Sequence, residues 1–169
     1  MNGRALRRGS ALLIGTILSA QAVTGCTPAP QALPAAERNE SGSIRLLVAP
    51  CPDFKIRGVS VFLNGNADPS VRWSVMRETG PGTPSEIDLF STPDGYRVNE
   101  ATLTEIQPSS KYAASTRGSI GTKGISGRLD FSPEKVDELD AGKVVTGLDG
   151  DKAVNRKDFL KSTPGKYKK

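Results

Sequence analysis

Histidine is missing altogether from the 169 residues. That absence removes the commonest general base and the commonest zinc ligand, and no Ser-His-Asp triad can be assembled. Aromatic residues are scarce, at 5%. A basic stripe with interleaved aromatics, the footprint of a nucleic-acid reader, is not there. There are only two cysteines, Cys26 and Cys51. The apolar run near the start, Ala11 to Ala22, is uncharged and has twelve residues, short of the about 20 that a spanning helix needs. Neither a Gly-x-x-x-x-Gly-Lys-Ser/Thr loop nor a dinucleotide fingerprint occurs.

What is present begins with Arg4, Arg7 and Arg8, which have no acid near them. The short apolar run follows, then small residues. A positive start, a short apolar core and small residues at the end describe a secretory signal peptide over 1–25. Arg7-Arg8 also raises twin-arginine export. The flanks, Leu6 and Gly9-Ser10-Ala11, lack most of that pattern, so export of the unfolded chain is the expectation.

Val23-Thr24-Gly25-Cys26 closes this segment. It resembles the lipobox of bacterial lipoproteins. The resemblance implies a diacylglyceryl thioether on Cys26, cleavage before it and further acylation of the new terminus. Two or more acyl chains hold a protein stably where one does so only marginally. The alternative is plain secretion, with Cys26 kept as a structural thiol. If Cys26 is acylated, Cys51 in "VAPCPDF" has no partner in the chain, and it reads as a small, partly buried apolar residue.

Charge is uneven. The net of +5 is carried by the ends. From Lys152 onward there are seven Lys/Arg and one acid, whereas Cys26 to Asp151 holds 13 Lys/Arg and 17 Asp/Glu. The basic tail 151–169, ending "KSTPGKYKK", reads as a solvated terminus, or as a strip lying on anionic lipid or wall polymer.

Residues 26–42 are Pro/Ala-rich and polar, without apolar period. They read as the lipidated cysteine and a disordered tether; sixteen extended residues reach about 55 Å at most. From Ser43 the pattern turns to period two. Ile44, Leu46 and Val48 alternate, then Val59, Val61 and Leu63, then Val71, Trp73 and Val75. Ile87–Phe90, Tyr96 with Val98, Tyr112 to Thr116, Ile125 to Phe131, and Val144-Val145 follow. "NGN", "GPGTPS" and "TPDG" punctuate them as turns. Seven or eight short strands with Gly/Pro turns predict an all-β antiparallel sandwich over 43–150. Ser132-Pro133-Glu134 predicts one short helix start.

"LTEIQPSSKYAAST", Leu103 to Thr116, resembles the fibronectin type III pattern through Ile106, Pro108, Ser110 and Tyr112. The resemblance implies an Ig-like or fibronectin-like sandwich, with Tyr112 as a tyrosine corner and Trp73 as the strand-C aromatic of the core. The lipobox, "VRWSV", "TPDGY", "SSKYAAS", "LDF" and Phe159 together resemble small actinobacterial lipoproteins. That likeness implies anchoring and a sandwich, not an activity.

Three candidates for chemistry remain. "SPEK", Ser132 to Lys135, has Ser-Lys dyad spacing, but Pro133 makes it a helix start. Asp137, Glu138 and Asp140 could pair as carboxylates, or form a solvated loop. "GLDGDKAVNRKDF" resembles a degenerate EF-hand or dockerin loop, with Asp149, Asp151, Asn155 and Asp158 at positions 3, 5, 9 and 12. Position 1 is Gly147 and position 6 is Lys152, where an acid and a glycine are needed, so a turn at Asp149-Gly150 is expected instead. The reading is therefore a non-enzymatic binding or structural module without cofactor or metal. It would be held on the outer face of the cytoplasmic membrane by lipid on Cys26. Its partner would be an envelope protein or wall polymer, not nucleic acid. A calcium-binding module and a subunit of a larger envelope complex are the alternatives.

Overall fold

The computed structural model describes residues 34–49, 53–65, 70–79, 84–147 and 150–161. Ten strands and two short helices run in the order β1 (Pro34–Arg38), β2 (Ile44–Val48), β3 (Phe54–Leu63), β4 (Arg72–Arg77), β5 (Glu86–Asp88), β6 (Tyr96–Ala101), β7 (Tyr112–Ile120), β8 (Lys123–Phe131), α1 (Pro133–Asp137), β9 (Lys143–Thr146), β10 (Lys152–Asn155) and α2 (Arg156–Leu160). They form two antiparallel five-stranded sheets, ordered β10-β9-β1-β2-β5 and β6-β4-β3-β7-β8.

The period-two pattern is the cause of this architecture. Alternate residues of a strand point to opposite faces, so each apolar set must be covered by another layer. Ala36, Ile44, Leu46, Val48 and Ile87 from the first sheet meet Ile56, Val59, Val61, Trp73, Val75, Tyr112, Ala114 and Leu129 from the second. Both sheets thereby bury one face in a common core. The all-β antiparallel sandwich is what the sequence led us to expect.

In the first sheet β1, β2 and β5 lie side by side, and in the second β3, β7 and β8 do. The tyrosine corner is in place at the head of β7. Tyr112 is fully buried, and its Oη accepts a hydrogen bond from the Gln107 backbone N–H at 2.7 Å. Trp73 is buried too, at 2% exposure, but on β4, next to β3. Counted from Ile44–Val48 its strand is the third; β1, which shows no alternation, makes it the fourth.

Two expected boundaries are corrected. The tether was expected to run to 42, yet Pro34–Arg38 is a paired strand in the middle of the first sheet. It is bonded to β2 across five register positions and to β9 across two. "PAAER" shows no alternation because both of its faces are covered. Ala36 lies in the main core, while Ala35 joins Leu47, Ala49, Val144 and Phe159 in a second cluster. Nor is the basic tail 151–169 a solvated terminus throughout. β10 pairs with β9 over four positions, and Phe159 of α2 is fully buried. The sandwich thus spans 34–161 rather than 43–150; residues 27–33 and 162–169 lie outside the described ones.

Ser132 caps α1 as expected, accepting from the Lys135 N–H at 3.4 Å, with Pro133 in the first turn. Gly150, in the β9–β10 turn, has φ +58, and a Cβ there would stand 1.9 Å from the Asp130 carbonyl oxygen. Here only glycine fits both the backbone conformation and the close approach.

Two substitutions test these constraints. Gly150→Ala should cost about 3 kcal/mol, through a left-handed conformation plus a backbone clash, read as a lower urea midpoint with unchanged slope. Tyr112→Phe keeps the ring and leaves the Gln107 N–H without its acceptor, and should cost about 1–2 kcal/mol in the same measurement.

Candidate functional site

Three features of the surface have the residues to do something. The first is a pair of clefts. One, of about 190 Å³, is lined by Asn64, Lys111, Asp130, Phe131, Ser132 and Lys135. The other, of about 270 Å³, includes Arg38, Ile44, Leu89, Phe90, Glu105 and Ile106. Phe90 follows β5 with φ +64, and its ring meets Trp73 edge-on at 5.9 Å between centroids. A bulky residue in that conformation is strained; contact with the buried indole helps to offset the cost.

The second feature covers the outer face of the first sheet. Glu37, Arg45 and Asp88 stand in register across β1, β2 and β5. Arg45 bonds Asp88 at 2.7 Å and Glu86 at 3.1 Å, and Asn39 adds a hydrogen bond to Asp88 at 2.9 Å. Arg156 of α2 reaches across to Glu37 at 3.1 Å and also pairs with Glu86. The hydrogen bond from Arg45 holds the Asp88 carboxyl below the usual aspartate range. Arg38 does the same to Asp137. Glu37 is 7% exposed, so its charge depends on Arg156 for compensation.

The third is the outer face of the second sheet, which neither helix contacts in the pairings of strand to helix described. Pairing aligns outward residues into three rows. Arg97, Met76, Gly58 and Arg117 form one; Glu100, Ser74, Ser60, Ser115 and Arg128 form the next; Arg72, Phe62, Ala113 and Asp130 form the third. The register slip between Ile56 and Gly58 is a bulge at Arg57, and Lys55 stands beyond it opposite Ser119. The middle of the face is floored by small side chains, and its margins carry six cations: Lys55, Arg57, Arg72, Arg97, Arg117 and Arg128. Only two carboxylates answer them. Glu100 pairs with Arg72 at 2.9 Å and Asp130 with Arg128 at 2.7 Å. Arg128 also lies over the Phe62 ring, 5.5 Å from its centroid. Among the described residues no carboxylate is paired with Lys55, Arg57, Arg97 or Arg117. The sequence reading assigned the positive charge to the chain ends. The fold gathers a basic face within a sandwich whose charges nearly balance, with 17 Lys/Arg and 18 Asp/Glu over 34–161.

The residues singled out from sequence fare differently. Cys26, Cys51 and Asp149 lie outside the described residues. The EF-hand-like stretch is a hairpin leading into α2: Lys152–Asn155 is extended and paired with β9, not coiled round an ion. Asn155 and Asp158 touch at 3.3 Å. Among the described residues no three His, Cys, Asp or Glu side chains gather as a metal site. Asp137, Glu138 and Asp140 are all exposed, with Asp137 bound to Arg38 at 2.5 Å. No described helix is long and apolar enough to cross a membrane. Large exposed apolar side chains are scattered, at Met76, Phe90 and Val98.

Arg156→Ala should cost about 3 kcal/mol, because it strands the buried Glu37 carboxylate; adding Glu37→Gln should restore part of that loss in urea unfolding. Acid acts on the paired aspartates with a definite sign. The unfolded chain takes protons on Asp88 and Asp137 at higher pH than the folded one does. Their stabilisation is thus present above the ordinary aspartate value of about 3.9 and fades as pH falls through the lowered one. Both side chains are partly solvated, so each contributes about 1 kcal/mol or less. Urea midpoints at pH 7 and pH 3 should differ less for Arg45→Ala than for the parent.

Compared with protein families, with curated proteins and with solved structures, the chain matches no family model, no curated protein and no solved structure.

Proposed function

We propose that this chain is a lipid-anchored protein of the bacterial cell envelope, acting as a non-enzymatic binding or structural domain on the outer face of the cytoplasmic membrane. One observation carries the reading: Val23-Thr24-Gly25-Cys26 stands directly after a positively charged start and a short apolar run. Cys in that place is the chemistry of a thioether-linked lipid, and two or more acyl chains make a lasting anchor. Cys26 precedes Pro34, the start of the first described strand, by eight positions. A sandwich whose described clefts hold lysines, a capping serine and salt-bridged carboxylates supports binding or scaffolding in preference to hydrolysis.

The reading is tested in cells that make the full chain. Metabolic labelling with an alkyne fatty acid should mark the protein, and the label should vanish in Cys26→Ser. The same variant should leave the membrane fraction. A chain that stays membrane-bound after Cys26→Ser, or whose mature N-terminus carries no lipid by mass spectrometry, ends the proposal.

A further inference from the structure

We infer that the outer face of the β6-β4-β3-β7-β8 sheet docks against the anionic headgroups of the membrane that carries the protein. The inference rests on the anchoring proposed above and goes beyond it, because it gives the domain an orientation and a second, electrostatic contact.

Three observations converge. First, the face is cationic: Lys55, Arg57, Arg72, Arg97, Arg117 and Arg128 against Glu100 and Asp130, an excess of four positive charges. Elsewhere cations and acids are mixed: Lys143, Lys152, Lys157 and Lys161 stand on or beside β9, β10 and α2 with Asp151 and Asp158. Glu37, Glu86 and Asp88 lie over the first sheet under α2, and Glu134, Asp137, Glu138 and Asp140 cluster at α1 and the loop after it. Secondly, the face is broad and shallow. Its middle holds Gly58, Ser60, Ser74, Ala113 and Ser115, with Phe62 and Met76 the larger side chains among them, so few bulky groups stand between the guanidinium groups and a flat surface. Met76, 43% exposed, adds an apolar contact at the level of the headgroups. Thirdly, the leash is short. Seven residues separate Cys26 from Pro34. Even fully extended, the chain between those two positions reaches only about 28 Å.

The leash length decides how strong the contact must be. Sheets of a sandwich stand about 10 Å apart, so an anchor leading to β1 still lets the opposite sheet turn to the bilayer. Attraction to an anionic leaflet fades over a Debye length of about 8 Å. A domain confined within a few such lengths meets the surface at high effective concentration. A contact too weak to hold the free domain then suffices to orient the tethered one.

The probe is a vesicle, and the protein is the chain 26–169 carrying Cys26→Ser, which keeps every described strand and helix and bears no lipid. It should sediment with vesicles of phosphatidylcholine and phosphatidylglycerol in equal parts, and not with phosphatidylcholine alone. Binding should weaken as salt rises. The triple variant Arg57→Glu, Arg97→Glu, Arg117→Glu should bind at least about tenfold more weakly, each cation near such a surface being worth about fivefold. These side chains are exposed and unpaired, so its thermal melt should match the parent's. Should the triple variant not fold, Arg97→Gln and Arg117→Gln singly should each lower binding measurably. Lys166→Gln, Lys168→Gln, Lys169→Gln, in the tail, should keep most of it. Absent vesicle binding, equal binding by parent and triple variant, or loss confined to the tail variant each overturns the docking. Because residue 26 carries no lipid in this assay, those failures leave the acylation of Cys26 standing. A failure of acylation in cells leaves the vesicle result readable.

Discussion

The strand Pro34–Arg38 is the constraint on which the rest of the molecule depends. It is the least apolar strand of the first sheet and its middle one, bonded on one side to β2 and on the other to β9. Without it the β9–β10 hairpin has no strand to join, and α2 has no Ala35 to cover. Alanine is the residue this place needs. One methyl group is enough to fill the space under Phe159 on one face and within the main core on the other, where a larger side chain would push the layers apart. Glu37 and Arg38 then project from the same strand to hold Arg156 and Asp137. The strand nearest the proposed anchor therefore ties the C-terminal helix and α1 to one sheet.

The two sheets differ in what they do with charge. On the first, acids and arginines neutralise one another under a short helix, and little field escapes. On the second, arginines stand at the margins with fewer acids than they need. The distribution is a property of strand pairing, not of local sequence. Lys55 and Arg128 are far apart in the chain and share a face because β3, β7 and β8 are neighbours. A nearly neutral sandwich with cations gathered on one face carries a directional field, which a net charge does not reveal.

Much of the fold was legible because alternation is a local signal. β2, β3, β4, β7 and β8 each turn a period-two apolar set to the main core, though β2 also buries Leu47 on its other face, and Tyr112 carried its role in the short pattern around it. What escaped notice was decided elsewhere in the chain. β1 lacks alternation because it is covered on both faces. β10 and α2 were hidden by Lys152, Arg156 and Lys157, whose charges suggested a free tail; yet Arg156 is held by two glutamates that precede it by 119 and 70 positions. The basic face was illegible for the same reason: its members come from five strands, and only the register brings them together. The calcium-loop likeness failed in the opposite sense. The spacing of Asp151, Asn155 and Asp158 was suggestive, but β9 offered Lys152–Asn155 a ladder of backbone hydrogen bonds, and an extended strand cannot wrap an ion.

The place of β1 also bears on how a tethered domain carries load. If Cys26 is acylated as proposed, any pull from the bilayer enters the fold at Pro34. An edge strand pulled from its end can peel away one hydrogen bond at a time. A central strand cannot, because it is bonded on two sides, and a pull along its axis loads those bonds together. Pro34 has no N–H to contribute to the ladder, yet its carbonyl accepts from the Thr146 hydroxyl at 3.1 Å, which fixes the entry point to β9. At the far end, Arg38 grips the Gly42 carbonyl at 2.9 Å and the Asp137 carboxylate. The force path from lipid to core thus runs through the strand with the most partners. That placement asks for small side chains, which explains why the segment resembles a linker and folds as the keystone of its sheet.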